Sequence, residues 1–255
     1  MRFFLRTMIL EAAFALLGIK GVLPSGRLQA QQGKNELRAT KALAMLGVPL
    51  ERDNRGTVRW IEAAKGELSD EAMQYMPVLS RLQWLEIGGG KVSPRGMEHL
   101  KDCASLRRLY VHDIDLHGDA LTWLTSLPAL EALSLERTGI DGKVLKNLAA
   151  TGTLTVLNLS GNAIDNDDMD QVARIKGLEV LALADTKITG PGIAKLEGMA
   201  HLNELNLMHC AILDSDLEHF LSMPNLRIVF AEGCNLGDMA VQDIVARFPM
   251  LAIFR

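Results

Sequence analysis

The stretch Leu154–Ile164, "LTVLNLSGNAI", places its apolar residues in an uneven rhythm that decides the fold. Leu154, Leu157 and Leu159 are followed by Asn162 and Ile164. The spacing fits a short strand with one buried face, followed by a turn. A single copy would describe one strand and one turn, whereas copies at a fixed period describe an architecture.

The pattern recurs every 24 residues in both directions from Leu154. The column that contains Leu154 is apolar nine times: Val58, Leu82, Leu106, Leu130, Leu154, Leu178, Leu202, Leu226 and Met250. The fourth and sixth positions of each unit are also apolar, until the sixth column ends at Arg255. Eight full units run without insertion from Val58 to Pro249, a regularity that chance does not produce.

Each unit predicts one strand and one short helix. The later apolar residues are three or four apart, as in Met73, Met76 and Leu79, which is the spacing of a buried helical stripe. Polar residues that favour helix N-caps precede these stripes: Ser69, Ser93, Asp141, Asp165 and Thr189. Prolines that suit a first helical turn follow: Pro94 and Pro191. Because one strand and one helix cannot bury their faces alone, the units must stack into a curved α/β solenoid with a parallel sheet on its concave face and short helices on its convex face.

The pattern resembles the leucine-rich repeat family, "LxxLxLxxN/CxL". The units at 130–153, "LEALSLERTGIDGKVLKNLAATGT", and 178–201, "LEVLALADTKITGPGIAKLEGMAH", resemble its bacterial 24-residue subtype. The resemblance covers about three quarters of the chain, and it implies a right-handed solenoid and recognition of proteins.

The chain departs from this family at the Asn column, where the side chain normally bonds to backbone at the bend. Asn162 keeps Asn, and the other positions are Gly66, Gly90, Ile114, Thr138, Thr186, Cys210 and Cys234. Thr and Cys can partly replace Asn there, but Gly and Ile cannot. We therefore expect less regular bends in the first units.

The ends of the chain predict three segments. Residues 1–30, with basic residues first and an apolar middle, resemble a signal peptide cleaved before Gln31, the alternative being an uncleaved leader on a cytoplasmic protein. That apolar run is too short and interrupted for a stable membrane span. Residues 31–57 predict an N-terminal cap, with a helix from Asn35 to Leu46, a stop at Gly47 and a hairpin turn at 53–56. The repeat domain, 58–255, ends on a strand edge able to pair with another copy.

Composition and motifs argue against several classes of function. The net charge of −4 comes with no basic stripe, so no nucleic-acid partner is expected. The acidic run at 165–170 lacks the spacing of a calcium loop, and the cysteines lack zinc spacing. His112 and Asp113 are neighbours on a strand, so we expect opposite faces rather than an acid/base pair. We expect no catalytic residue, cofactor or metal site, and therefore no enzyme.

Cys210 and Cys234 occupy one column of adjacent units, so their Cα atoms should lie roughly 5 Å apart. That separation permits a disulfide, but two reduced, inward-facing thiols are favoured because the side-chain geometry between in-register parallel neighbours is poor.

Aromatic residues collect on the concave face of the first three units. Strand parity places the third and fifth positions outward, with the seventh beside them. The candidate partner-binding residues are Trp60, Glu62, Trp84, Glu86, Arg108, Tyr110 and His112. Trp, Tyr and Arg dominate binding hot spots, although these aromatics could instead pack beneath the N-terminal cap.

The sequence thus predicts a non-enzymatic scaffold that binds a protein partner through its concave face, exported to the periplasm or outside the cell, or else cytoplasmic. Two alternatives remain: a bacterial effector or ubiquitin-ligase adaptor-like protein, and a structural or assembly protein of the cell envelope.

Overall fold

The structure is a computed structural model that describes residues 26–116 and 118–255, with side chains over 32–116 and 121–255. The chain divides into two units, Met1–Asn35 and Glu36–Arg255. Residues 1–25, which make up most of the predicted leader, lie outside the described residues. Of the first unit, Gly26–Asn35 is described as the start of a helix.

The repeats form one sheet of ten strands in the described residues, arranged in sequence order. The strands are β1 (Glu51–Arg52), β2 (Val58–Ala63), β3 (Trp84–Gly88), β4 (Arg108–His112), β5 (Ala132–Glu136), β6 (Val156–Asn158), β7 (Val180–Ala182), β8 (Glu204–Asn206), β9 (Ile228–Phe230) and β10 (Ala252–Phe254). All pairs from β2 to β10 are parallel, and residues 24 apart are partners. The predicted parallel sheet and its register are confirmed.

The core lies under the sheet, where the first, fourth and sixth positions of the units meet. Leu106, Leu109 and Val111 are fully buried, as are their equivalents in the middle units. Burial of such side chains from water is the main force that stacks the units. The ninth unit departs from the predicted column, because Met250 is exposed and Leu251 is buried in its place.

Short helices cover the other side of the core. The α-helices are α1 (Gly26–Met45), α2 (Asp70–Met73), α3 (Pro94–Met97), α4 (Leu145–Leu148), α5 (Met169–Val172), α6 (Gly190–Ala194) and α7 (Asp238–Arg247). The 3-10 segments are η1 (Met76–Val78), η2 (Glu98–Asp102), η3 (Gly118–Ser126), η4 (Gly142–Val144) and η5 (Asp214–Ser222). Among the described helices, none is both long and apolar enough to cross a membrane.

Helix capping follows the sequence at three of the five predicted positions. Ser69, Ser93 and Asp141 accept backbone hydrogen bonds from the first helical turn as predicted, whereas the Thr189 side chain makes no such bond. Neighbouring units add caps that sequence spacing did not predict. The Asp70 carboxylate, for example, accepts the Ser93 N–H at 2.7 Å.

The N-terminal cap differs from its prediction at one end. Helix α1 begins at Gly26 instead of Asn35, so Asn35 lies inside the helix and does not cap it. The predicted stop at Gly47 is confirmed, with φ of 78° after the helix ends at Met45. The predicted hairpin is also confirmed, because β1 pairs antiparallel with β2 across the turn that Gly56 closes onto Asp53.

The bend after each strand uses a left-handed residue. From the second to the eighth unit, this residue is the eighth of the unit: Gly89, Asp113, Arg137, Gly161, Asp185, His209 and Gly233. The first unit instead places positive φ at its ninth residue, Gly66. The expected irregularity is therefore present in the first unit only, because the second and third units, with Gly90 and Ile114 in the Asn column, bend at the regular position.

Asn162 supports its bend as the family pattern implies. Its Nδ2 donates to the carbonyls of Leu135 and Leu159 at 2.6 and 2.9 Å, while its Oδ1 accepts from the N–H groups of Thr138 and Ile140 at 3.0 and 3.3 Å. These bonds join two repeats. An amide can do this because it both donates and accepts.

In their own units, Cys210 and Cys234 stand at the position that Asn162 occupies in its unit, and each thiol is a single weak hydrogen-bond donor. Their thiols donate to the Leu183 and Leu207 carbonyls at 3.1 Å each. Both cysteines are free in the structure. Burial raises the pKa of both thiols, which keeps them protonated and able to donate.

Candidate partner-binding surface

Strand register brings the candidate residues into adjacent rows on the concave face. Trp60 pairs with Trp84, which pairs with Arg108. In the next row Glu62, Glu86 and Tyr110 are partners in the same way, and His112 pairs with Gly88. We call the seven residues Trp60, Glu62, Trp84, Glu86, Arg108, Tyr110 and His112 the N-terminal aromatic surface.

Trp84 is less open than its strand position predicts. It faces away from the core, yet only 8% of it is exposed. The Tyr110 ring lies 4.8 Å from the Trp84 ring at an interplanar angle of 39°, and the Arg108 guanidinium carbon lies 5.8 Å above the same ring. The expectation of an exposed Trp84 is therefore wrong. Neighbours on the concave face contribute to its cover, and the Arg108 guanidinium lies over its ring.

The other aromatic groups of this surface remain half-buried. Trp60 and Tyr110 are both partly accessible, and Trp60 lies beside the cap strand, where it pairs with Glu51 of β1. Burial raises the pKa of Tyr110 to about 12, although Arg108 acts in the opposite direction. Tyr110 is therefore a neutral hydroxyl at physiological pH.

His112 is buried and lies between two carboxylates. Its Nδ1 is 2.9 Å from Asp113 Oδ2, and its Nε2 is 3.2 Å from Glu86 Oε1. The expectation that His112 and Asp113 point to opposite faces is wrong. Asp113 follows the last residue of β4 and adopts φ of 56°, so the alternation of a strand does not apply to it.

An ion-pair network continues from His112 toward the middle of the sheet. Arg137 Nε donates to Asp113 Oδ1 at 2.6 Å, and Arg137 also pairs with Glu136. The guanidinium holds the pKa of Asp113 down at about 2, with help from the His112 ring. Because these side chains hold one another, the polar edge of the surface is preorganised.

The concave face changes character along the solenoid. Its middle units carry small or uncharged side chains at the third and fifth positions: Ala132, Ser134, Val156, Asn158, Val180 and Ala182. Toward the C-terminal end Phe230 and Phe254 stack with ring centroids 5.4 Å apart. The sequence analysis did not identify this second aromatic pair. The signal was present, because both residues occupy the fifth position of adjacent units.

The described residues contain no group of three or more His, Cys, Asp or Glu side chains able to hold a metal ion. The acidic run at 165–170 instead makes local turns. Asp165 accepts the Asp167 N–H at 2.9 Å, and Asp168 accepts the Asp165 N–H at 3.0 Å. Asp165 and Asp168 thus stabilise the turn before α5, and the prediction that Asp165 caps this helix is wrong, because no side chain caps it.

Comparison with known proteins supports the repeat assignment. A family model described as "Leucine Rich repeat" matches residues 153–173 and 198–220. A comparison with curated proteins finds no match. Similar solved structures include internalin C2 of Listeria monocytogenes, at 22% identity over 71% of this chain and 81% of that chain, with a TM-score of 0.49.

Two further structures are similar. The internalin InlF of Listeria monocytogenes shows 16% identity over 71% of this chain and 69% of that chain, with a TM-score of 0.40. TLR13, solved in complex with the RNA ssRNA13, shows 22% identity over 70% of this chain and 26% of that chain, with a TM-score of 0.55. This last likeness shows a shared fold. The 24-residue register, the mostly parallel sheet and the matched repeats together show that the chain has the leucine-rich repeat fold.

Proposed function

We propose that the protein is a non-enzymatic scaffold that binds a protein partner through the N-terminal aromatic surface. Leucine-rich repeat proteins generally mediate protein–protein interactions. The concave sheet offers side chains from successive strands at a spacing of about 4.8 Å, which suits an extended contact.

The contact of Trp84 with Tyr110 and Arg108 is the observation that carries this proposal. The buried Trp84 ring contacts both Tyr110 and Arg108 of the neighbouring strand. Rigid aromatic and arginine side chains lose little conformational entropy on binding and bury much area. Trp84 thus holds Tyr110 and Arg108 in place as contact groups for a partner. Trp60, its strand partner, adds a third contact group.

The charge of the concave face favours a protein over a nucleic acid. Its third, fifth and seventh positions carry five carboxylates and one guanidinium: Glu62, Glu86, Glu136, Glu204 and Glu232, with Arg108. Such a surface repels a phosphate backbone and attracts basic groups. The RNA partner of TLR13 belongs to that protein, and we retain the expectation of no nucleic-acid partner.

Crosslinking and affinity capture from the native host test the proposal. Trp60→Ala combined with Arg108→Ala should weaken capture of the partner by about tenfold or more, because both contact groups are lost. Val156→Ala is the matched control, since Val156 is half-buried at the same strand position in the middle of the sheet. Equal capture by wild type and the double variant would remove this surface from consideration.

We also propose export, on the basis of residues 1–30 alone. Sequencing the N-terminus of protein from its native host should find Gln31 first. An intact Met1 on soluble cytoplasmic protein would contradict export without affecting the binding proposal.

A further inference from the structure

Glu204 lies on the concave face at the other end of the sheet. It begins β8 and is the partner of Val180 on one side and of Ile228 on the other. Only 8% of Glu204 is exposed, although it faces away from the core. A carboxylate is therefore held among apolar neighbours on a surface that is otherwise suited to contact.

Within the part of the chain that the structure describes, no side chain or backbone N–H donates to the Glu204 carboxylate, and no cation pairs with it. Burial raises the pKa of Glu204, and no hydrogen bond or charge opposes that shift. The Glu204 oxygens still reach solvent, but the partial loss of hydration without a protein partner destabilises the charged form of this side chain.

Asn206 adds a second polar side chain on the same strand face, and its amide nitrogen makes no bond to the described protein but still reaches solvent. Its Oδ1 accepts the Met208 N–H at 3.0 Å. Its Nδ2 donates to no group among the described residues, although only 5% of Asn206 is exposed. An acceptor with negative charge and a free amide donor thus lie two residues apart on one strand.

The aromatic pair beside this strand, Phe230 and Phe254, favours a guanidinium over an ammonium group. Asn206 is the strand partner of Phe230, whose ring stacks on Phe254. A guanidinium is planar, so it can bond to a carboxylate at its edge while its face lies on an aromatic ring. An ammonium is compact and more strongly hydrated, which makes it a poorer fit to this combination.

We propose that Glu204, Asn206 and Phe230 form a subsite for an arginine side chain of the protein partner. The guanidinium pairs with the Glu204 carboxylate and lies against Phe230, while the Asn206 amide donates to a backbone carbonyl of the same segment. The assignment rests on the proposed function, since it assumes that a protein occupies the concave face. It adds the chemistry that the partner must present.

Two short probes test the subsite without the native partner. The probes are acetyl-Gly-Arg-Gly-amide and its citrulline counterpart, which keeps the shape but lacks the charge. Each is titrated into the isotope-labelled full chain, and the Asn206 side-chain amide signal is followed by NMR. The arginine probe should shift that signal at millimolar concentration and bind about tenfold more tightly than the citrulline probe.

Variants make the result specific. Glu204→Gln should lower affinity for the arginine probe about tenfold and leave the citrulline probe unchanged. Glu232→Gln, on the same face one strand away, is the matched control and should leave both within about twofold. Equal affinities of the two probes for wild type, or an undiminished affinity in Glu204→Gln, would overturn the subsite. The proposed function is tested separately, at Trp60 and Arg108 with the native partner.

Discussion

The imidazole of His112 fills the space that a side chain at Gly88 would occupy. A Cβ added to Gly88 would lie 2.1 Å from His112 Cε1 and 2.6 Å from the backbone oxygen of Ala64. The His112 ring on β4 can therefore take this buried position because Gly88 on β3 has no side chain.

Gly88→Ala should destabilise the protein by about 1–3 kcal/mol, because it displaces the His112 ring and presses on backbone that cannot yield. Urea denaturation measures the change. Gly177→Ala is the control, since its Cβ would meet nothing nearer than the Leu154 oxygen at 3.5 Å, and it should stay within about 0.5 kcal/mol. Similar losses in both variants would contradict the steric explanation.

Asn162→Ala should cost about 3 kcal/mol or more, because it leaves several buried backbone groups of two repeats without partners. Cys210→Ala in the same column should cost only about 1 kcal/mol, because a thiol is a weak donor and here makes one bond to backbone. Thermal and urea denaturation of both variants would show the difference. The reverse order would mean that the bend does not depend on the amide.

Leu157→Ala should lower the free energy of unfolding by about 2–5 kcal/mol through lost burial and a cavity, since Leu157 is fully buried. Ser134→Ala on the concave side should cost less than about 0.5 kcal/mol, because it creates no large cavity. Urea denaturation that ranked the two the other way would contradict the assigned faces.

Glu204→Gln should raise the melting temperature at neutral pH. The folded-state pKa of Glu204 is raised above its usual 4.5, so the unpaired charge destabilises the native state increasingly as pH rises from there through the folded-state value. Removing the charge relieves that penalty, and the gain should shrink as pH falls toward 4.5 and below. Calorimetry at neutral and acidic pH checks this, and a gain of equal size at both would exclude the carboxylate as its cause.

Periodicity predicts the architecture because each apolar column repeats at 24 residues over the whole sheet. Leu109 and Leu157 are buried for the same reason, and that reason is visible in the sequence. Register then follows from the period, so residues 24 apart, such as Trp84 and Arg108, become partners on neighbouring strands.

The surface chemistry was less predictable because it depends on side-chain contacts between units. Trp84 is buried by the way Tyr110 and Arg108 settle on it, which parity alone does not reveal. The pairing of His112 with Asp113 depends on a left-handed residue after the strand. The resemblance of this chain to the bacterial 24-residue subtype remains a prediction.

The contacts between glycines and neighbouring side chains limit how the protein can be rearranged. His112 reaches back to Gly88, whereas Arg137 and His209 reach forward to Gly161 and Gly233. Two units of equal length therefore cannot be exchanged without changing these contacts between neighbouring units. A deletion or duplication of 24 residues keeps the chain in phase, but it preserves packing only when each large side chain travels with the glycine that accommodates it.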